Sequence, residues 1–297
     1  MTWLIATLFA GLLQAWRTAV QARVRDTLSV NAAGLVRYLY GLPVALFLAW
    51  NYVGWMGDGM PGLGGGFPLW VVLGGVAQLL GTNLLLMAFG YRNFVVGTAY
   101  AKTEAVQGAV LAMIMLGEIL SPISMAGIAV SVAGVLVLST GGARLKLADV
   151  TQPAALCGLG AGFLFALTAV FVKLATRQVS SPDTIMRALM TLVGVVGSQL
   201  VMQGAYVVIR EPKQVRLVFT SWRVSSQVGV LAALGSACWF TAFAMAPVAL
   251  VRAIGQVEVI FTLLFGQYYL KQPIKRAEMV GLLLVGLGVV LALIGVM

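Results

Sequence analysis

The sequence predicts an all-α membrane protein with ten transmembrane helices, arranged as two inverted five-helix repeats. Of its 297 residues, 61% are hydrophobic and only 9% are charged, whereas a soluble domain is about half apolar and a quarter charged. The apolar residues form long runs without two-residue alternation, which favours helices over a barrel. The third observation is an internal similarity at a shift of about 154 residues, the separation of Glu104 and Glu258.

Ten apolar segments are each about as long as the ~20 residues that a helix needs to cross a bilayer. They are residues 2–22, 31–53, 67–90, 95–116, 122–142, 153–174, 182–209, 225–245, 248–270 and 276–297. The connections are short except for a glycine-rich loop at 54–66 and a basic loop at 210–224. The glycine-rich loop lacks the Gly-Lys-Ser/Thr of a phosphate-binding loop, so we interpret it as a flexible surface loop.

The two halves of the chain, residues 1–146 and 147–297, carry the same features in the same order. The matched pairs are Arg37 with Arg187, Gly81 with Gly235, Glu104 with Glu258, Gly127 with Gly281 and Gly134 with Gly288. Because each half has an odd number of spans, consecutive halves enter the membrane from opposite sides. The sequence therefore predicts inverted repeats.

Charge and residue usage exclude several classes of function. The net charge is +10, but the basic residues concentrate in the odd-numbered loops, where they set orientation and do not indicate nucleic acid binding. The positive-inside rule then puts both termini outside. Cys157 and Cys238 lie in apolar segments and are interpreted as small core residues. Since the chain has no histidine, we expect no metal site and no cofactor.

With these motifs the whole chain resembles a ten-helix member of the drug/metabolite transporter superfamily with two tandem EamA-type domains. Glu104 and Glu258 match the acid of its fourth-helix motif, and Leu116-Gly117-Glu118 matches the motif after it, whose counterpart Leu270-Lys271-Gln272 has lost both glycine and acid. The resemblance implies passage of small metabolites through a central cavity lined mainly by helices 1, 3, 4, 6, 8 and 9. It also implies that both termini lie inside, opposite to the charge count.

Two glutamates near the middle of membrane spans are the leading candidates for a functional site. A charge at that depth costs several kcal/mol unless it faces a polar interior; the alternative is a structural hydrogen bond between helices. We expect Glu258 to be the acid that titrates, because it has no close basic neighbour in sequence. The candidate substrate- or proton-binding residues are Glu104, Glu258, Lys102, Gln256, Arg17, Gln14, Gln78, Asn83 and Trp239.

Other polar residues are expected to have structural roles. Arg252 lies near the start of a span and is expected to reach the membrane interface. The same expectation, or structural pairing, applies to Arg37 and Arg187. The glycine pairs of the fifth and tenth spans predict a close-packed helix face, or the seam of a homodimer.

These features predict a secondary active transporter that exports a small amphipathic metabolite, such as an amino acid, by alternating access, with proton coupling as one option. The alternatives are an uncoupled facilitator or channel for small solutes, and a multidrug exporter of cationic amphipaths. An enzyme ranks last, because histidine is absent and the aspartates lie in loops or at span ends. The expected partners are a small-molecule substrate and the lipid bilayer of a bacterial inner membrane, with no nucleic acid, and the chain is expected to be a monomer or homodimer.

Overall fold

The computed structural model describes residues 1–24, 27–57, 59–90, 100–140, 151–261 and 276–295. Within these residues the regular structure is helical apart from two short strands. The helices are α1 (Thr2–Val24), α2 (Val30–Leu39), α3 (Gly41–Met56), α4 (Phe67–Gly90), α5 (Glu104–Leu116), α6 (Pro122–Thr140), α7 (Pro153–Thr176), α8 (Thr184–Arg210), α9 (Pro212–Thr220), α10 (Trp222–Met245), α11 (Val248–Gly255) and α12 (Arg276–Ile294). The strands are β1 (Gly62–Leu63) and β2 (Val179–Ser180), which pair antiparallel.

Six described segments are long and apolar enough to cross a membrane. They are Thr2–Gln21, Val30–Met56, Phe67–Leu85, Pro153–Thr176, Thr184–Arg210 and Trp222–Met245. Three shorter apolar helices coincide with the fourth, fifth and tenth predicted spans: Glu104–Leu116, Pro122–Val137 and Met279–Ile294. The all-α membrane class is confirmed. The count of ten spans and their inverted arrangement stay predictions, since residues 95–99, 141–142, 262–270 and 296–297 lie outside the described residues.

Three local features differ from the sequence-based expectation. The second span is divided into α2 and α3 at Tyr40, where Pro43 lacks the N–H that would continue the helical hydrogen bonding. The basic loop contains α9, which begins at Pro212, the position that proline favours in a helix. The glycine-rich loop is anchored by β1, since Gly64 N donates to Gln178 O at 2.7 Å.

The described chain divides into two compact units, and each takes segments from both halves of the sequence. Unit 1 comprises Met1–Leu79 and Phe171–Met245. Its core includes the buried side chains of Val36, Val207 and Val228. Polar links tie its helices together: Glu211 accepts hydrogen bonds from Ser29 Oγ and from Asn31 Nδ2.

Unit 2 comprises Leu80–Val170 and Ala246–Met297. Its closest helix pair is α6 with α12, which meet at the glycines matched in the sequence. A Cβ atom at Gly134 would lie 2.9 Å from Gly281 O, and one at Gly288 would lie 2.6 Å from Gly127 O. Even a single methyl group cannot fit at these distances, so glycine is required where the two backbones touch. The close-packed face is therefore used within the chain.

Candidate functional site

The two candidate glutamates each follow a break in a helix, at corresponding positions in the two halves of the sequence. Residues 100–101 are helical, 102–103 form a turn, and α5 begins at Glu104. In the second half α11 ends at Gly255, residues 256–257 form a turn, and helix resumes at Glu258. The two turns are therefore 154 residues apart, the same shift that relates the glutamates.

The hydrogen bonds at the two breaks also correspond. Thr103 N donates to Tyr100 O at 3.1 Å, and Val257 N donates to Ile254 O at 3.0 Å. These three-residue bonds are those of a tight 3₁₀ turn, which leaves the regular helical pattern for one turn. In the first break the Thr103 hydroxyl donates to Tyr100 O at 2.6 Å, a side-chain bond of the kind that competes with regular helix.

Two ion pairs cross between the broken helices of unit 2. Lys102 Nζ lies 3.3 Å from Glu258 Oε2, and Arg252 Nη1 lies 3.5 Å from Glu104 Oε1. Each glutamate therefore pairs with the cation of the other repeat. We call Lys102, Glu104, Arg252 and Glu258 the charge cluster. It contains two anions and two cations, so its formal net charge is zero.

The charge cluster is largely removed from solvent. Its four side chains are between 11% and 19% exposed. Arg252 Nη2 also donates to Phe165 O at 2.9 Å. Beside it, Gln256 is 1% exposed and its Oε1 has no hydrogen-bond partner among the described residues.

The backbone of α7 passes close to the first break. A Cβ atom at Gly162 would lie 2.8 Å from Ala101 O and 3.4 Å from Glu104 N. Gln107, one turn after the break, donates to the Thr103 hydroxyl at 2.8 Å. The small residue on α7 therefore allows the turn that carries Glu104 to lie against it.

One expectation about these charges is wrong, and another loses its basis. Glu258 has no close basic neighbour in sequence, but Lys102 pairs with it from the other half of the chain, and its titration stays a prediction. Arg252 was expected to reach the membrane interface, but it is 9% exposed and pairs with Glu104. Sequence position alone failed here because a cation and its acid come from different repeats.

The remaining candidates lie elsewhere, and two of them pair within unit 1. Trp239 Nε1 donates to Gln14 Oε1 at 3.0 Å. Gln78 Oε1 accepts from Gln199 Nε2 at 2.6 Å, and sequence reasoning missed Gln199 although it is a glutamine within an apolar helix. The other two candidates, Arg17 in α1 and Asn83 in α4, are half-buried.

A comparison with known proteins finds a family match for the second half of the chain. Residues 152–294 match the model of the EamA-like transporter family. The chain carries an EamA-like transporter domain. This EamA-like domain contains Arg252, Gln256 and Glu258 and is consistent with the drug/metabolite transporter superfamily that the sequence resembles. Together with the six described segments that are long and apolar enough to cross a membrane, this domain supports a multi-pass integral membrane protein.

A solved structure shares the fold over nearly the whole chain. This crystal structure, described only as that of a protein, has a TM-score of 0.72 and 16% sequence identity, and the match covers 98% of this chain and 97% of the other. At this identity the likeness concerns the fold alone. No curated protein matches the sequence.

Two EamA-type motifs have structural roles in unit 2. Glu118, the acid of the Leu-Gly-Glu motif, accepts a hydrogen bond from Val248 N at 2.8 Å and so caps the start of α11. The fifth-helix glycines form the contact of α6 with α12 described above. The degenerate counterpart Leu270-Lys271-Gln272 lies outside the described residues.

Proposed function

We propose that this protein is a secondary active transporter that exports a small zwitterionic metabolite, such as an amino acid. Ten spans in two inverted five-helix repeats would give alternating access to the substrate. The observation that carries the proposal is the charge cluster, in which ion pairs cross between two matched helix breaks. Broken helices that carry charged groups are typical of substrate sites in secondary transporters.

The balance of charge in the cluster favours a zwitterion. An amino acid carries one carboxylate and one ammonium group, so its addition leaves the net charge at zero. Its carboxylate can replace a glutamate on Lys102 or Arg252, while the released glutamate pairs with its ammonium group. Every charge then keeps a partner, which matters because an unpaired charge in an apolar interior is strongly destabilising. A monovalent cation would leave an excess of +1 unless a proton departs.

The helix breaks supply a second preference for an anionic group. Glu104 and Glu258 are each the first residue of a helical segment, where the unpaired N–H groups and the helix dipole favour negative charge. When a substrate carboxylate takes a glutamate's place, that favourable interaction passes to the substrate. A proton and the substrate's ammonium group compete for the displaced glutamate, and exchange of one for the other would couple export to a proton gradient.

The proposal is tested by substrate flux in proteoliposomes with an imposed pH gradient, using a panel of labelled amino acids and cationic amphipaths. We expect gradient-driven flux of an amino acid in the wild-type protein and a loss of at least tenfold in Glu104→Gln and in Glu258→Gln. The charge-reversed double variant Lys102→Glu/Glu258→Lys restores the pair and should recover part of the flux. Glu118→Gln is the matched control, since its amide oxygen still accepts from Val248 N.

The alternatives predict different results in the same assay. An uncoupled facilitator would move the substrate only down its own gradient, with no response to pH. A multidrug exporter would move cationic amphipaths and leave amino acids behind. Unchanged flux and coupling in both glutamine variants would contradict the role of the charge cluster altogether. A bacterial inner membrane is the location we propose for this activity.

A further inference from the structure

A buried arginine in unit 1 has no acidic partner among the described residues. Arg37 in α2 is 7% exposed, and its Nε atom has no hydrogen-bond partner within the described residues. The contact that its guanidinium makes is with the ring of Tyr38, at 5.6 Å from Cζ to the ring centroid. No acid pairs with Arg37 in the part of the chain that the structure describes. Because arginine stays protonated in proteins, this is a full positive charge that is largely removed from solvent.

Arg37 lines a small cavity inside unit 1. Tyr38, Gln78, Gln199 and Ser236 also line it. The hydroxyl of Tyr38 is also buried without a partner among the described residues, and the residue is 3% exposed. None of the described residues that line the cavity is acidic. The space is about that of one water molecule or one monatomic ion.

The repeat provides a comparison for Arg37. Its counterpart Arg187 donates from Nε to Ser181 O at 2.5 Å and is half-buried near the start of α8. Arg187 therefore has the structural bond expected of an arginine at a span end. Arg37 has no such bond and borders a cavity instead. The expectation of a structural role or a position at the membrane interface thus fits Arg187 but not Arg37.

We propose that the cavity beside Arg37 binds a small monovalent inorganic anion of the size of chloride. The guanidinium provides the positive charge, the hydroxyl of Tyr38 supplies a further donor, and Ser236 also lines the cavity. A water molecule would accept the same hydrogen bonds but would leave the charge of Arg37 uncompensated, which is the larger cost. The site belongs to unit 1 and contains no member of the charge cluster, so it is separate from the proposed substrate site.

Chloride dependence of thermal stability tests this proposal. Purified protein in detergent is titrated with sodium chloride against sodium gluconate at constant ionic strength, and the apparent Tm is recorded. A ligand of the folded state raises stability with a saturable dependence on its concentration. We expect a rise of about 3 °C when chloride reaches ten times its Kd, taking ~2 °C per kcal/mol for a protein of this size.

Variants assign the effect to the cavity. Arg37→Gln should lose the chloride dependence, while Arg187→Gln, the matched control from the other repeat, should keep it. If Arg37→Gln does not fold, Tyr38→Phe removes a single donor and should raise the half-saturating chloride concentration about tenfold. Crystals soaked in bromide should show an anomalous peak beside the Arg37 guanidinium. A Tm independent of chloride in the wild type, a dependence that survives Arg37→Gln, or the absence of the bromide peak would overturn the proposal.

Discussion

Glu258→Gln and Glu104→Gln should respond differently to alkaline pH, because each variant removes the acid that pairs with a different cation. Loss of Glu258 removes the acid that pairs with Lys102, and loss of Glu104 removes the acid that pairs with Arg252. A lysine can release its proton when its acid is removed, whereas an arginine stays protonated at any pH that a protein tolerates. The stability of the first variant should therefore recover as pH rises, and that of the second should not.

The magnitude follows from ordinary ionisation free energies. Removing one partner of a buried pair costs about 3–5 kcal/mol, and side chains 11–19% exposed are buried enough for this value to apply. Deprotonating a lysine costs about 4.6 kcal/mol at pH 7 and about 1.9 kcal/mol at pH 9, from a pKa of ~10.4. The destabilisation caused by Glu258→Gln should therefore be about 1–3 kcal/mol smaller at pH 9 than at pH 7. Deprotonating an arginine at pH 9 still costs about 5–6.5 kcal/mol, so Arg252 stays charged and Glu104→Gln stays equally destabilised.

The direction of the change follows from proton binding. In Glu258→Gln the unfolded chain binds one more proton than the folded protein with neutral Lys102, so the free energy of unfolding rises with pH between about 7 and 10. We expect its apparent Tm, relative to the wild type at the same pH, to increase by about 2–6 °C between pH 7 and pH 9. Thermal unfolding of the purified protein in detergent measures this difference.

The control is the double variant Lys102→Gln/Glu258→Gln, which has no lysine to titrate and should show no recovery. Glu104→Gln should behave like this double variant. An equal recovery in Glu104→Gln and Glu258→Gln, or none in either, would refute the assignment of Lys102 to Glu258 and of Arg252 to Glu104.

The other predictions concern packing, a hydrogen bond and orientation. Gly134→Ala places a Cβ atom 2.6 Å from Val285 N and should lower the free energy of unfolding by about 1–3 kcal/mol through overpacking. In the control Gly286→Ala the added Cβ meets nothing within 4 Å, so the variant should be neutral or stabilising by up to ~1 kcal/mol. Thermal unfolding compares the two variants. Trp239→Phe removes the hydrogen bond to Gln14 and should lower the unfolding free energy by about 1 kcal/mol. A reporter fused to the C-terminus should be accessible from outside, and a cytoplasmic reporter would contradict the charge count.

Much of the fold could be predicted because membrane spans depend on length and hydrophobicity, which a sequence states directly. The glycines of α6 and α12 were also predictable, since glycine repeated on one helix face indicates close packing. Pro43 indicated the division of the second span into α2 and α3, and Pro212 indicated the start of α9. The turn at residues 102–103 had neither proline nor glycine, so nothing local in the first repeat predicted it.

The candidate site was predictable only in part. A glutamate inside an apolar span is conspicuous, so both acids of the charge cluster were found. Their partners were not, because helical periodicity tells which residues share a face but not which helix that face meets. Lys102 and Glu258 are far apart in the chain, and their contact depends on how α5 and α11 pack. The same limit explains why Arg37 and Arg187, which look equivalent in sequence, have different surroundings.

The two helix breaks of the charge cluster have the same backbone conformation, but their charged residues differ. This difference bears on mechanism. The shift that superimposes Glu104 on Glu258 places Lys102 opposite Gln256, while Arg252 lies a full turn before the second break. One ion pair therefore contains a lysine and the other an arginine. Transfer of the lysine's own proton to Glu258 can open the first pair, whereas arginine keeps its proton, so the second pair opens only when Glu104 takes a proton from elsewhere or a carboxylate competes for Arg252. We therefore expect proton coupling to depend on Lys102 and Glu258, and recognition of the substrate carboxylate to depend on Arg252. Lys102→Arg should then retain substrate binding while weakening the response of flux to a pH gradient.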